Sequence, residues 1–149
     1  MAAASERKVE ICNCFALRQA ARHITQFYDQ QLAHTGLRTT QYSILAKLES
    51  LGPLTIGALA DAMMLDRTAL GRNIQPLVRE RLVAIGEGRS DRRQKVLRLT
   101  AMGTKRLRAA APAWAQAQAQ FETAYGRPKA KALREMLRAV TVCAFDSAA

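Results

Sequence analysis

Hydrophobic residues return every three or four positions along most of this chain, and only one short stretch alternates. From Lys8 to His34 there is no proline or glycine, and Ile11, Cys14 or Phe15, Leu17, Ala21, Ile24, Tyr28 and Leu32 recur at helical spacing before Gly36. That pattern predicts one long first helix. A second, shorter helix is expected after Thr39 or Thr40 as its cap, with Ile44, Leu45 and Leu48 turned inward and a stop at Leu51-Gly52-Pro53. Residues 54–84 then read as two capped segments. Thr55 caps a helix striped by Ile56, Leu59, Ala60 and Met63, and after the turn at Met64-Leu65, Asp66 caps another.

On the helix after Asp66, Leu70, Ile74, Leu77 and Val78 share one face, while Thr68, Arg72, Gln75 and Arg79 occupy the opposite one. Gly71 flanks that outer face. The alternating stretch follows: Leu82 to Glu87 and Val96 to Leu99 read as two strands, with Gly86 and Gly88 bracketing the turn between them. A helix-turn-helix followed by a hairpin is a winged helix, so the fold class is mainly α with a small β wing. From Ala101 the pattern is helical again to about Tyr125, with Leu107, Trp114 and Phe121 seven apart and a bend expected at Pro112. Gly126-Arg127-Pro128 breaks it before a last helix carrying Leu133, Leu137 and Val140. These helices carry more apolar surface than a small winged lobe covers, so they require a partner face. Trp114 is expected in that core or interface.

Charge changes the picture. The 149 residues carry a formal charge of +11, and nearly half are hydrophobic, which fits one compact domain with a real core and an anionic partner. The excess is concentrated at the hairpin tip, where Arg89, Arg92, Arg93, Lys95 and Arg98 surround one acid, Asp91. No window is apolar for long enough to span a membrane, and the amino terminus lacks the apolar core of a signal peptide, so a cytoplasmic protein is expected. Cys12, Cys14 and Cys143 are an odd number, and no disulfide framework or metal site is expected. Cys12 and Cys14, two apart on one helix, face different ways. His23 and His34 lie eleven residues apart, about 16 Å on a helix at 1.5 Å per residue, too far to share an ion. No glycine-rich phosphate loop, carboxylate pair or nucleophile-base set marks an enzyme, and no cofactor is expected.

The combination resembles the MarR family of bacterial transcription regulators. Asp91-Arg92-Arg93 at the wing, Leu99-Thr100 with Gly103 behind it, and Leu65-Asp66 through Leu82-Val83 over the recognition helix carry the resemblance. It extends over nearly the whole chain and implies a single domain over 1–149, with a DNA-binding lobe at 36–100 and helical dimerisation segments at 1–35 and 101–149. The implied function is a dimeric, sequence-specific regulator of double-stranded DNA. It would be a repressor on a pseudo-palindromic operator, released by a small molecule or an oxidant. The alternative is an adaptor or a nonspecific nucleic-acid-binding protein using the same basic surface. The DNA-facing candidates are Arg67, Thr68, Arg72, Asn73, Gln75 and Arg79 on the helix, and Arg89, Asp91, Arg92, Arg93 and Lys95 on the wing. The resemblance implies that Arg93 enters the minor groove while Asp91 holds the wing arginine. Two departures stand out: Arg81 replaces the glycine that usually ends the recognition helix, and Pro76 sits inside it, where a kink is expected.

The first helix is also similar to that of the organic hydroperoxide resistance regulators within the same family. This implies Cys14 as a peroxide-reactive thiol with Tyr28 and Tyr42 as its tyrosine partners, although a second cysteine-activating tyrosine of that branch falls on Thr39. Cys14 and Tyr28 lie about 21 Å apart along one helix, so a hydrogen bond between them has to cross a dimer interface. The competing signal is a small phenolic or anionic effector held near Arg18, Arg22 or Tyr42.

Overall fold

The computed structural model describes residues 8–145, so Met1 to Arg7, where the signal-peptide reading began, lie outside the described residues. The chain forms two compact units, residues 1–114 and 115–149. The first contains α1 (Asn13–Leu32), a 3-10 turn (Ala33–Thr35), α2 (Thr39–Leu51), β1 (Leu54–Thr55), α3 (Ile56–Met63), α4 (Arg67–Arg79), β2 (Val83–Glu87) and β3 (Lys95–Leu99). It ends within α5 (Ala101–Tyr125); the rest of α5 and α6 (Arg127–Thr141) form the second.

The first helix is shorter than its periodicity predicts. The chain leaves the helix at Ile11 and Cys12, and α1 starts at Asn13 with Cys12 as its cap in extended conformation. The Cys12 Sγ accepts from the Phe15 amide at 3.5 Å. A short polar side chain that can satisfy a first-turn amide competes with continuing the helix, which apolar spacing alone does not reveal. Cys12 is therefore outside the helix that carries Cys14. At the far end the helix tightens into the 3-10 turn, and Gly36 at φ +75 closes it.

The start of α2 is also held differently from expectation. Its cap position is Arg38, and Thr39 is its first residue. The Thr39 amide donates to Asp29 Oδ1 of α1 at 2.7 Å, and the Arg38 amide donates to Gln41 Oε1 at 3.0 Å. A carboxylate ten residues upstream thus does what a local threonine was expected to do. The caps of α3 and α4 are the predicted ones: Thr55 Oγ1 accepts from Ala58 at 3.1 Å and Asp66 Oδ1 from Ala69 at 2.7 Å.

The sheet has three strands, not two. β3 is central, with β2 on one side and the two-residue β1 on the other, all antiparallel. Leu97 sits opposite both Leu54 and Ile85 and is fully buried. Two residues cannot display an alternation, so β1 left no periodic signal. Gly86 pairs with Val96 inside the ladder, and the turn runs from Gly88 to Gln94. One cluster joins Leu32, Ile44, Leu45, Leu59, Leu70, Leu77, Leu97 and Leu107, so the inward faces read from the sequence meet in a single core. Fully burying one such leucine contributes roughly 2 kcal/mol relative to leaving it exposed.

A tight joint ties the end of α4 to the start of α5. Arg81 lies in the left-handed region at φ +60, where glycine is favoured. The Thr100 hydroxyl donates to the Arg81 carbonyl at 2.7 Å, its amide donates to Leu82 O at 3.1 Å, and its Oγ1 accepts from the Gly103 amide at 2.9 Å. A Cβ on Gly103 would run into the Leu82 carbonyl oxygen, so this first turn of α5 packs on the backbone itself.

In the second unit Phe121 stacks on Tyr125 with centroids 5.5 Å apart, and Arg134 Nη1 pairs with Glu122 Oε1 at 3.3 Å. Ala130 is buried, but Met136, Leu137 and Val140 on α6 are 60%, 40% and 42% exposed. Among the described residues no helix is long and apolar enough to cross a membrane.

Candidate nucleic-acid interface

The outward face of α4 is built by the same periodicity that makes its core face. Leu70, Ile74 and Leu77 are buried, which turns Thr68, Arg72, Gln75 and Arg79 to solvent, where all four are exposed. Two candidates lie off that row. Asn73 is half-buried and its Nδ2 donates to the Ala69 carbonyl one turn back at 2.9 Å. Arg67 lies with its guanidinium against Gly57 of α3. The helix continues through Pro76, whose carbonyl still accepts from the Glu80 amide at 2.9 Å.

The wing presents Arg89, Arg92 and Arg93 as exposed side chains on a closed turn, and Lys95 exposed at the start of β3. Gly88 donates to Gln94 O at 2.8 Å and Gln94 donates back to Asp91 O at 3.1 Å. Asp91 holds Arg93 through the backbone: its Oδ1 accepts from the Arg93 amide at 2.9 Å, and no ion pair joins it to a guanidinium among the described residues. The carboxylate thus shapes the turn from which the Arg93 side chain projects and leaves its donors uncommitted. Gly88 is part of the same closure, since a Cβ there would stand 2.7 Å from the Asp91 carbonyl oxygen. Gly88→Ala should therefore open the wing at a cost of about 1 to 2 kcal/mol. Faster amide exchange confined to 88–94, with the core unchanged, is the expected readout; an unaltered exchange profile would count against this closure.

Between α4 and β2 lies an open, mostly apolar groove of about 400 Å³ lined by Ile74, Gln75, Val78, Arg79 and Ile85. Behind α4, Glu80 Oε2 pairs with Arg106 Nη1 of α5 at 3.4 Å, and the same nitrogen reaches the Thr35 carbonyl at 3.5 Å. This junction linking three elements was not anticipated from the sequence; an acid and a base 26 positions apart give no local signal.

The sensing candidates are more dispersed. Cys14 is exposed in the first turn of α1, as are Cys12 ahead of it and Cys143 in the second unit. Arg18 and Arg22 are exposed on α1 and form no hydrogen bond or ion pair with Tyr42 among the described residues. Tyr28 meets Phe27 edge-on at 5.6 Å. Tyr42 on α2 is half-buried and stacks on Trp114 at 5.9 Å and 12°. Burial pushes its phenol above the ordinary value, and the Glu49 carboxylate pushes it the same way, so the hydroxyl stays protonated at neutral pH. No group of His, Cys, Asp and Glu able to hold a metal occurs among the described residues.

The profile of the MarR family matches residues 35–94, which run from the end of the 3-10 turn after α1 to the wing. The transcriptional regulator MosR of M. tuberculosis is 33% identical over 89% of this chain and 98% of its own, with a TM-score of 0.74. The chain belongs to the MarR family. A second MosR structure, solved in complex with DNA, matches 90% of this MarR-family chain and 99% of its own at 33% identity and a TM-score of 0.75. The regulator BpsR of Bordetella bronchiseptica, whose DNA binding is regulated by 6-hydroxynicotinic acid, shares the fold at 19% identity, with 90% and 96% covered and a TM-score of 0.80. No protein of curated function matches the sequence. MarR-family proteins are transcriptional regulators, not enzymes, and the winged helix of this one is the DNA-binding architecture of that family.

Proposed function

We propose that this MarR-family chain is a homodimeric, sequence-specific DNA-binding repressor whose hold on a pseudo-palindromic operator is released by a small-molecule or oxidant signal. The observation that carries this reading is the shared exposure of two basic elements: the outer row of α4, with Arg72, Gln75 and Arg79, and the closed wing with Arg89, Arg92 and Arg93. A helix of this character enters the major groove, and a wing reaches phosphates or the adjacent minor groove. MosR, the 33%-identical relative, has been solved on DNA. Residues 36–100 act as the DNA-binding lobe. The flanking segments supply the dimer, supported by exposed Val9, Ile11, Phe15 and Leu17 in the first unit and by Leu137, Val140 and Val142 in the second. Such surface is covered by an obligate partner more often than left in water. A protein of this kind works in the cytoplasm. An electrophoretic shift with the DNA upstream of its own gene tests the reading. Retention of that fragment over random duplex of the same length supports it, and equal retention points to nonspecific binding.

Two signals remain in competition. A small phenolic or anionic effector near Arg18, Arg22 or Tyr42 is supported by BpsR, whose DNA binding responds to a hydroxylated aromatic acid. Oxidation of Cys14, with Tyr28 and Tyr42 as its partners, is supported by the thiol's exposure on α1. A peroxide would convert the thiolate to a sulfenic acid with release of the reduced oxygen as an alcohol or water, adding polar bulk where the dimer packs. Under organic peroxide, Cys14→Ser should keep its DNA while wild type and Cys12→Ser release theirs. Equal release by wild type and Cys14→Ser, or release of both by a phenolic acid alone, would overturn the redox signal.

A further inference from the structure

Cys12 and Cys14 are separated by Asn13 alone, and both thiols are exposed. Inside one helix that spacing would turn them to different faces and keep them from joining. The chain does not put them in one helix. Asn13 is the first residue of α1, whereas Cys12 is its cap with ψ at 113, so the Cys12 side chain is swung away from the direction a helical residue would give it. Its Sγ is folded over the open end of the helix, where it accepts from the Phe15 amide at 3.5 Å.

Two features bring Cys14 toward the same end. A helical Asn13 holds the flanking Cα atoms about 5.4 Å apart, from the rise and radius of an α-helix, within the span that a disulfide bridges. The Cα–Cβ bond of a helical residue tilts toward the amino end, so the Cys14 thiol leans toward the turn that Cys12 caps. Among the described residues no cluster of metal ligands includes either thiol. Cys143 is exposed as well, but it lies in the second unit, beyond the end of α6.

We propose that Cys12 is the resolving thiol of Cys14, closing an intrachain disulfide across Asn13 after an organic peroxide has oxidised Cys14. The proposal rests on the Cys14 signal above. The Cys14 thiolate takes the terminal oxygen of the peroxide as a sulfenic acid, and the remainder leaves as an alkoxide that picks up a proton from water. The Cys12 thiolate then attacks the Cys14 sulfur. The S–S bond forms, the S–O bond breaks, and the hydroxide leaves as water with the proton that Cys12 gave up. The two thiols have then lost the electron pair that the peroxide O–O bond received. Closing the bridge withdraws the Cys12 Sγ from the Phe15 amide and leaves an exposed disulfide, the kind that thiols reduce readily, so the signal can be reversed. Without Cys12 the sulfenic acid stays open to a second peroxide, and the sulfinic acid that results is not reduced by thiols.

The experiment treats full-length wild type, Cys12→Ser and Cys143→Ser with cumene hydroperoxide, follows retention of the upstream DNA before and after dithiothreitol, and maps the alkylated protein by tryptic peptide mass. A serine at position 12 keeps an acceptor for the Phe15 amide, so Cys12→Ser should melt no lower than wild type. Cleavage after Lys8 and Arg18 leaves both thiols on one peptide, 9–18. In wild type and Cys143→Ser that peptide should resist alkylation and lose two hydrogens, and dithiothreitol should restore DNA binding in full. In Cys12→Ser the peptide should gain oxygen on Cys14, and DNA binding should not return. A bridge from Cys14 to Cys143 or to Cys14 of a second copy would overturn the proposal, as would recovery by Cys12→Ser as full as that of wild type. If wild type forms the bridge within 9–18 yet keeps its DNA, oxidation is not the signal and the pairing stands. If it releases DNA with Cys14 oxidised and unbridged, the signal stands and the role of Cys12 falls; an unmodified peptide removes both.

Discussion

Gly103→Ala should destabilise the first unit by about 3 kcal/mol, the upper range for forcing an extra carbon into a packed site. The added Cβ would overlap the Leu82 carbonyl oxygen and lie 2.7 Å from Leu99 Cδ1, and the backbone oxygen cannot swing away as a side chain could. Leu82 O also accepts from the Thr100 amide, and Gly103 donates to Thr100 Oγ1, so moving α5 outward breaks the cap that starts it. Chemical denaturation would read the change as a lower midpoint with an unchanged slope. Gly71 provides the internal contrast. It lies in α4 with nothing within 4 Å of a Cβ, so Gly71→Ala should be neutral or stabilising by up to about 1 kcal/mol. Equal midpoints for the two variants would show that the contact at Leu82 does not constrain the fold.

The second large effect is on DNA. Arg93→Ala should weaken binding to the upstream fragment by about 1 to 3 kcal/mol while leaving the melting temperature nearly unchanged. The side chain is exposed, and the turn beneath it is closed by the Asp91 carboxylate, the Gly88 amide and main-chain bonds that do not involve the guanidinium. Exposed charge of this kind contributes little to folding. Arg72→Ala should act differently. It stands in the outward row of α4, and loss of a base-edge contact relaxes sequence preference, whereas loss of a phosphate contact weakens all duplexes alike. Binding by Arg93→Ala as tight as wild type at physiological salt would remove the wing from the interface. Equal losses by Arg72→Ala on the upstream and random DNA would remove the base-reading role of that arginine.

The legibility of this fold in its sequence follows the range of the forces involved. Helices whose apolar residues recur, such as α4 and α5, could be placed because burial imposes its period on the chain itself. The caps at Thr55 and Asp66 could be read because a capping side chain acts within three residues. The features that escaped are those in which two distant segments meet. Asp29 starts α2 from the previous helix, β1 is only two residues long, and Arg106 joins Glu80 and Thr35 from 26 and 71 positions away. Cys12 escaped for the opposite reason, a local cap that overrode a longer periodicity. At the candidate interface, exposure of the α4 row followed from burial of its other face. The approach of Arg67 to Gly57 did not, because the two residues lie ten positions apart on different helices. Arg81 lies between these cases. Its departure from glycine could be noticed in the sequence, but its left-handed backbone, with a carbonyl receiving the Thr100 hydroxyl, became visible only with the structure.

The most direct test of the account is a hydroxyl-radical footprint of the wild-type protein on the DNA upstream of its gene. A two-fold dimer reading a pseudo-palindrome should protect two half-sites centred about one helical turn, roughly 34 Å, apart or a multiple of it, with flanking minor-groove protection that disappears in Arg93→Ala. A bounded, symmetric pattern of that kind is the predicted result. Protection without boundaries, or a single unpaired site that Arg93→Ala leaves intact, would contradict it.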